Sequence, residues 1–271
     1  MSTSPKANIL LIGSGGVGTI TALNLEAGNQ AQVTAVLRSN YQAVYSNGFT
    51  IYPSNSLLIK PPLTPDNIIL SGISMIDSHE IAPGVTEHSS ADDLVIGAFP
   101  NPNLDVAIEQ AAAARFVALY SASGKTRCVL TPDVAYSRWR KLIFNACLNS
   151  ICALTGLDTG RIRLEGDMAE TLVRPAMDEI RAAAAAVGVD LSGYVCERVI
   201  GAYPVTMYLP PSMLEDGNLI EVESIVGEPP RVGRAKRVWI PTLFVLYSLL
   251  KGVQWMTKEE RGLIEVLAKR S

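Results

Sequence analysis

Residues 7–38 read ANILLIGSGGVGTITALNLEAGNQAQVTAVLR, and this stretch decides the fold. Ala7–Ile12 is a short unbroken apolar run that ends in glycines, the signature of a strand buried in a parallel sheet. Thr19–Ala27 follows as a helix, with Gly28 and Asn29 as its stop signal. Gln32–Leu37 is a second, β-branched strand. Strand, helix and strand within about thirty residues make a βαβ unit, so the sheet is expected to be parallel.

The turn between strand and helix, Gly13-Ser14-Gly15-Gly16-Val17-Gly18, is a G-x-G-x-x-G. Alone that pattern is weak; directly after a strand and opening a helix, it reads as a dinucleotide loop. Gly13 permits the tight turn, Gly15 lets the backbone approach a pyrophosphate, and Gly18 lets helix pack closely on strand. The helix N-terminus offers unpaired amides to the phosphates. A glycine turn with no ligand is the competing, less favoured reading. After the second strand an NAD enzyme usually carries Asp or Glu for the ribose hydroxyls, but this chain has Arg38-Ser39. A guanidinium pairs with a 2′-phosphate and a serine adds a hydrogen bond, so NADP(H) is expected over NAD(H). The alternative is that Arg38 is an ordinary surface residue.

Outward from this core, further strands are expected at Thr50–Tyr52, Ile68–Ile76 and Leu94–Ile96, and a helix at Asn103–Ala114. Beyond about residue 133 the pattern turns helical: Val134–Leu154, Asp167–Val187, Gly193–Ala202 and Ile240–Gly252, punctuated by Gly156, Gly188, Pro210-Pro211 and Pro229-Pro230. The expected architecture is an α/β Rossmann-type parallel-sheet domain over 1–133, followed by an all-α C-terminal domain over 134–271.

Composition narrows the function. A net charge of −3 disfavours a nucleic-acid partner, and Arg231, Arg234, Lys236 and Arg237 read as a solvated helix face. The apolar run Val238–Leu250 contains Pro241 and is too short to cross a bilayer. The four cysteines, Cys128, Cys147, Cys152 and Cys196, match neither a metal nor a redox spacing. No metal site is expected, and a reducing, cytoplasmic setting fits. The apolar region around Trp239, Phe244, Leu246 and Tyr247 either packs internally or forms a homodimer.

Residues 137–155 read SRWRKLIFNACLNSICALT. Lys141, Asn145 and Asn149 recur every four residues and share one helical face. Around them the helix is apolar, so a narrow polar stripe runs along an element that should be buried, and it must find partners. One reading is a site wall, with Lys141 giving up a proton and two amides holding a polar substrate. The other is a solvent-facing stripe, or hydrogen bonding between helices.

Taken together, GSGGVG, LRS, WRKLIFNACLNSICALTG, PPSMLEDG and IEVESIVGEPPRVGRAKRVWIPT resemble the ketopantoate reductase family, in order and approximate spacing, through most of the chain. The resemblance implies NADPH-dependent reduction of 2-dehydropantoate, a small 2-keto acid, on the route to pantothenate and coenzyme A. By position it makes Lys141 the proton donor to the ketone oxygen, and Asn145 and Asn149 the substrate amides. It puts Ser212 at the substrate carboxylate, Glu221 near the lysine and the nicotinamide ribose, and Ser78 beside the cofactor. Read by themselves, Ser212 is a helix N-cap after two prolines and Glu221 a surface carboxylate. The chain departs from the family between Ile51 and Ile68, where YPSNSLLIKPPLTPDN replaces a βα unit with its cofactor lysine and asparagine-glycine turn. Val226 stands where the family prefers asparagine. A member that binds nucleotide without turnover is the alternative.

Overall fold

The computed structural model describes residues 5–13, 16–36, 50–51, 68–76, 78–88, 91–207 and 219–265. The chain divides into two compact units, 1–134 and 135–271.

In the first unit, β1 (Ala7–Ile12), α1 (Gly16–Ala27) and β2 (Ala31–Val36) form the expected βαβ unit. β1 and β2 pair in parallel from Ala7↔Ala31 to Ile12↔Val36. β3 (Thr50–Ile51), β5 (Ser78–Ala82) and β6 (Val85–His88) make a second small sheet. β3 runs parallel to β6, and β5 and β6 form a hairpin. Its turn is Pro83-Gly84, with Gly84 at φ 78°, a dipeptide that signals a turn by itself.

The third sheet has the order β4-β7-β8, with β4 at Ile69–Ser74, β7 at Asp93–Phe99 and β8 at Arg127–Leu130. β7 and β8 are parallel, joined through α2 (Val106–Ser121). β4 and β7 are antiparallel, which qualifies the parallel expectation for this part of the chain. The connection between them holds only the β5–β6 hairpin, and a parallel neighbour needs a crossover long enough to return to the same end of the sheet.

Leu25, Ala31, Leu94, Ile96, Ala113 and Tyr120 form the core of this unit. A buried polar cluster is set into it. Asp92, just before β7, accepts from Asn24 Nδ2 at 2.6 Å and from Tyr120 Oη at 2.8 Å. One carboxylate thus ties α1 and α2 to the start of β7. Burial, the largest effect, raises the Asp92 pKa, and the hydrogen bonds only partly offset it. On the other face of β1–β2, none of the described residues covers Leu10, 63% exposed, or Ile12, 78% exposed. A doubly wound parallel sheet normally has helices over both faces.

The second unit is helical: α3 (Val134–Leu142), a π-helical segment Ile143–Asn149, α4 (Ser150–Thr155), α5 (Thr159–Leu164), a second π segment Ala169–Val173, α6 (Arg174–Ala185), α7 (Val195–Ile200), α8 (Val222–Ile225), α9 (Glu228–Lys236) and α10 (Pro241–Glu260). Ile143, Cys147, Ile151, Met177, Ile180 and Leu243 are fully buried at its centre. Cys147 and Cys152 are core residues, and burial raises both thiol pKa values. α10 lacks a local cap, since Ile240 precedes it and Pro241 opens it. The half-buried Glu179 of α6 supplies one: its two oxygens accept from the Thr242 and Leu243 amides at 2.9 and 2.8 Å. Among the described residues no helix is long and apolar enough to cross a membrane.

Candidate functional site

The glycine loop is built as its sequence demands. Gly13 adopts φ 90°, a left-handed conformation that glycine enters without steric cost. Its amide donates to the Val36 carbonyl at 3.3 Å, fastening the loop to the end of β2. A Cβ on Gly18 would overlap the Gly13 carbonyl oxygen, so only glycine lets α1 close down on the turn. α1 opens at Gly16 and runs for 12 residues, long enough for a helix dipole that favours an anion at its start. Gly13, Gly16, Val17 and Gly18 therefore fit the pyrophosphate of a dinucleotide. Ser14, Gly15, Arg38 and Ser39 lie outside the described residues.

Ser78 opens β5, in register with His88 across the hairpin. It is fully buried, and its Oγ has no hydrogen-bond partner. β5 packs against α1, the helix that follows the glycine loop.

The lysine helix of the second unit carries a cluster of its own. Lys141 sits near the end of α3, and Asn145 and Asn149 follow in the π segment. Asn149 is buried at 6% exposure, so the stripe is not simply solvent-facing. Its Nδ2 donates to Asn145 Oδ1 at 3.4 Å. Seven residues of π-helix, Ile143–Asn149, interrupt the continuous helix expected over Val134–Leu154. Such segments are rare and often sit at functional sites.

Lys141 is half-buried as a residue, but its ammonium is crowded enough that desolvation dominates. Its pKa falls to about 8, with attraction from Glu221 opposing the fall. Glu221, at the start of α8, is exposed by surface area, yet atoms gather round its carboxyl. Burial raises its pKa to about 7, and Lys141 holds it from going higher. Two groups whose ordinary values are 10.5 and 4.5 thus titrate near neutrality, where acid–base catalysts work best. The second unit brings Lys141, Asn145, Asn149 and Glu221 into one region; Ser212 lies outside the described residues. The sequence reading passed over Arg138, whose pKa burial lowers. It lies three residues before Lys141 on the same face, and that spacing was the available signal. Among the described residues no group of acidic, histidine or cysteine side chains is arranged to hold a metal ion.

The first unit has a nucleotide-type βαβ core and the second is helical with a desolvated lysine. The model of the family "Ketopantoate reductase PanE/ApbA" matches residues 9–66, and that of its C-terminal domain matches residues 133–254. An uncharacterized protein of Saccharomyces cerevisiae is 30% identical across 96% of this chain and 97% of its own. That alignment is 356 positions long against 271 residues here, so the yeast protein carries chain with no counterpart in this one. The crystal structure of 2-dehydropantoate 2-reductase from Methylococcus capsulatus is 26% identical, with a TM-score of 0.74, over 92% of this chain and 97% of that one. A complex of D-mandelate dehydrogenase with NADH shares the fold, with a TM-score of 0.78 at 16% identity, over 92% of this chain and 99% of that one. The chain belongs to the ketopantoate reductase family.

Proposed function

We propose that this protein reduces a 2-keto acid, 2-dehydropantoate or a near analogue, to the 2-hydroxy acid with NADPH. The observation that carries this reading is the Lys141–Glu221 pair, which sets a desolvated lysine at about 8 on the same helical face as two amides. Bound NADPH supplies the hydride to the ketone carbon. As the carbonyl oxygen takes up negative charge, the Lys141 ammonium stabilises it and passes it a proton, leaving a neutral amine that regains a proton from solvent. Glu221 keeps Lys141 charged at working pH. Asn145 and Asn149 hold the substrate's polar groups, and Ser212 its carboxylate end. Gly13–Gly18 carries the pyrophosphate, and Arg38 with Ser39 selects the 2′-phosphate. This reading sets the protein in the cytoplasm, in the synthesis of pantothenate.

Oxidation of NADPH in the presence of 2-dehydropantoate, with chiral analysis of the product acid, tests the proposal. Turnover supports it. Tight NADPH binding with no turnover on any 2-keto acid favours a second reading, a nucleotide-binding member without catalysis. The additional chain of the yeast relative, with no counterpart here, supports that second reading.

A further inference from the structure

Glu221 acts from a weak support. It stands just before α8, a helix of four residues, far shorter than a helix that holds its shape alone. Its side chain caps nothing on that helix. Its carbonyl accepts from the Ile225 amide at 3.1 Å, so wherever α8 sits, Glu221 follows. Val222 and Ile225 are buried and fasten one side of the turn.

The other side is gripped by two neighbouring helices. The Glu223 carboxylate accepts from Tyr247 Oη of α10 at 2.8 and 3.0 Å, and from Arg231 Nη1 of α9 at 2.8 Å. Arg231 Nη2 donates to the Glu223 backbone carbonyl, and Nε donates to Glu228 at 3.0 Å. Lys251 lies over the Tyr247 ring, 5.2 Å from its centroid. These are the charges around Glu223, while Lys141 of α3 is the charge that acts on Glu221. The Glu223 and Arg231 side chains are 62% and 49% exposed, so such an ion pair adds little stability. What it supplies is placement, since one guanidinium holds both the side chain and the backbone of the same residue. Gly227 leaves room for it. A Cβ there would lie 2.8 Å from the Glu223 carbonyl oxygen and 2.9 Å from the Tyr247 ring.

We propose that Arg231 and Tyr247 are positioning residues, which grip Glu223 and thereby hold Glu221 where it acts on Lys141. The role rests on the reductase reading above, in which Glu221 keeps Lys141 charged.

Side-chain NMR titration of Lys141 in the ligand-free full-length protein, its signal assigned by its loss in Lys141→Arg, tests the clamp without turnover. In the parent the lysine titrates at about 8. Arg231→Met removes a cation, which through its field alone would raise that value. Release of Glu221 makes it fall, by about one pH unit, the low end of what an adjacent opposite charge confers. Tyr247→Phe changes no charge and moves it the same way by a smaller step; it decides alone if Arg231→Met does not fold. In a Glu221→Gln background neither substitution moves the lysine further. With 2-dehydropantoate and NADPH, the alkaline limb of kcat/KM follows the titration. A lysine that titrates at or above the parent value in these variants overturns the proposal, as does a fall of equal size without Glu221. A parent without turnover removes the reductase reading and leaves the titration to decide the clamp.

Discussion

The ammonium of Lys141 and the carboxylate of Glu221 attract each other while burial works against the charge of each, and their pKa values settle at about 8 and about 7. Neither group would reach that range in water. Desolvation moves both towards their neutral forms, and mutual attraction limits the movement, so Lys141 stays largely charged near pH 7 while Glu221 titrates there.

Lys141→Ala is expected to lower turnover by about 10²–10⁴, the range for losing a general acid. NADPH affinity changes little, because the pyrophosphate rests on Gly13–Gly18 in the first unit. Single-turnover kinetics with nucleotide titration reads both quantities. An alanine variant as active as the parent removes Lys141 from the proposed role.

Glu221→Gln shifts the pH profile. In the parent, kcat/KM falls as pH rises through about 8 and Lys141 gives up its proton. Without the carboxylate the attraction that favours the charged lysine is gone, so the alkaline limb moves to lower pH. An alkaline limb that stays put shows that Glu221 does not tune the lysine.

The same pair shapes stability. Glu221 is raised from 4.5 to about 7, so its contribution is full below pH 4.5 and is lost as pH rises through 7. Lys141 is lowered from 10.5 to about 8, so the unfolded chain binds the extra proton between 8 and 10.5 and stability rises across that window. A shallow minimum in melting temperature is expected between pH 7 and 8. Glu221→Gln should abolish the descent on its acid side, which thermal melts across the pH range can read.

Gly18→Ala should abolish dinucleotide binding while leaving the helical unit folded, because the new methyl overlaps the Gly13 carbonyl oxygen. Isothermal titration with NADPH, beside circular dichroism, checks it. Retained affinity rules out the glycine loop as the phosphate seat.

Tyr120→Phe removes a 2.8 Å bond to the buried Asp92 carboxylate. The expected cost is about 1–3 kcal/mol, the range for leaving a buried group short of a partner. Asp92, already raised by burial, titrates higher still. Denaturant unfolding at neutral and acidic pH measures the loss, which should be larger where Asp92 is ionised.

The βαβ core was legible because hydrophobic run, glycine loop and β-branched run each follow from local chemistry: β1 begins and ends where Ala7–Ile12 predicted. The antiparallel pairing of β4 and β7 was not, since it depends on what fills the connection. The β5–β6 hairpin carried a readable Pro83-Gly84 signal that went unused. In the helical unit the 141–145–149 spacing located the polar stripe, but α and π turns both keep i and i+4 on one side, so the spacing concealed the π segment. The Lys141–Glu221 coupling joins residues eighty positions apart, a distance that no periodicity spans. Trp239, Phe244, Leu246 and Tyr247, read together as one apolar region, separate in the fold: Leu246 is buried, while Trp239 and Phe244 face outwards.

The Glu179 clamp on α10 has an evolutionary consequence. Ile240 has no side-chain oxygen to offer its own helix, so the start of α10 is fastened more than sixty positions upstream, by Glu179, which accepts from the Thr242 and Leu243 amides. Positions 179 and 240 are therefore expected to change together. A lineage that loses the glutamate leaves two amides bare, and the shortest repair is a serine, threonine or aspartate in place of Ile240.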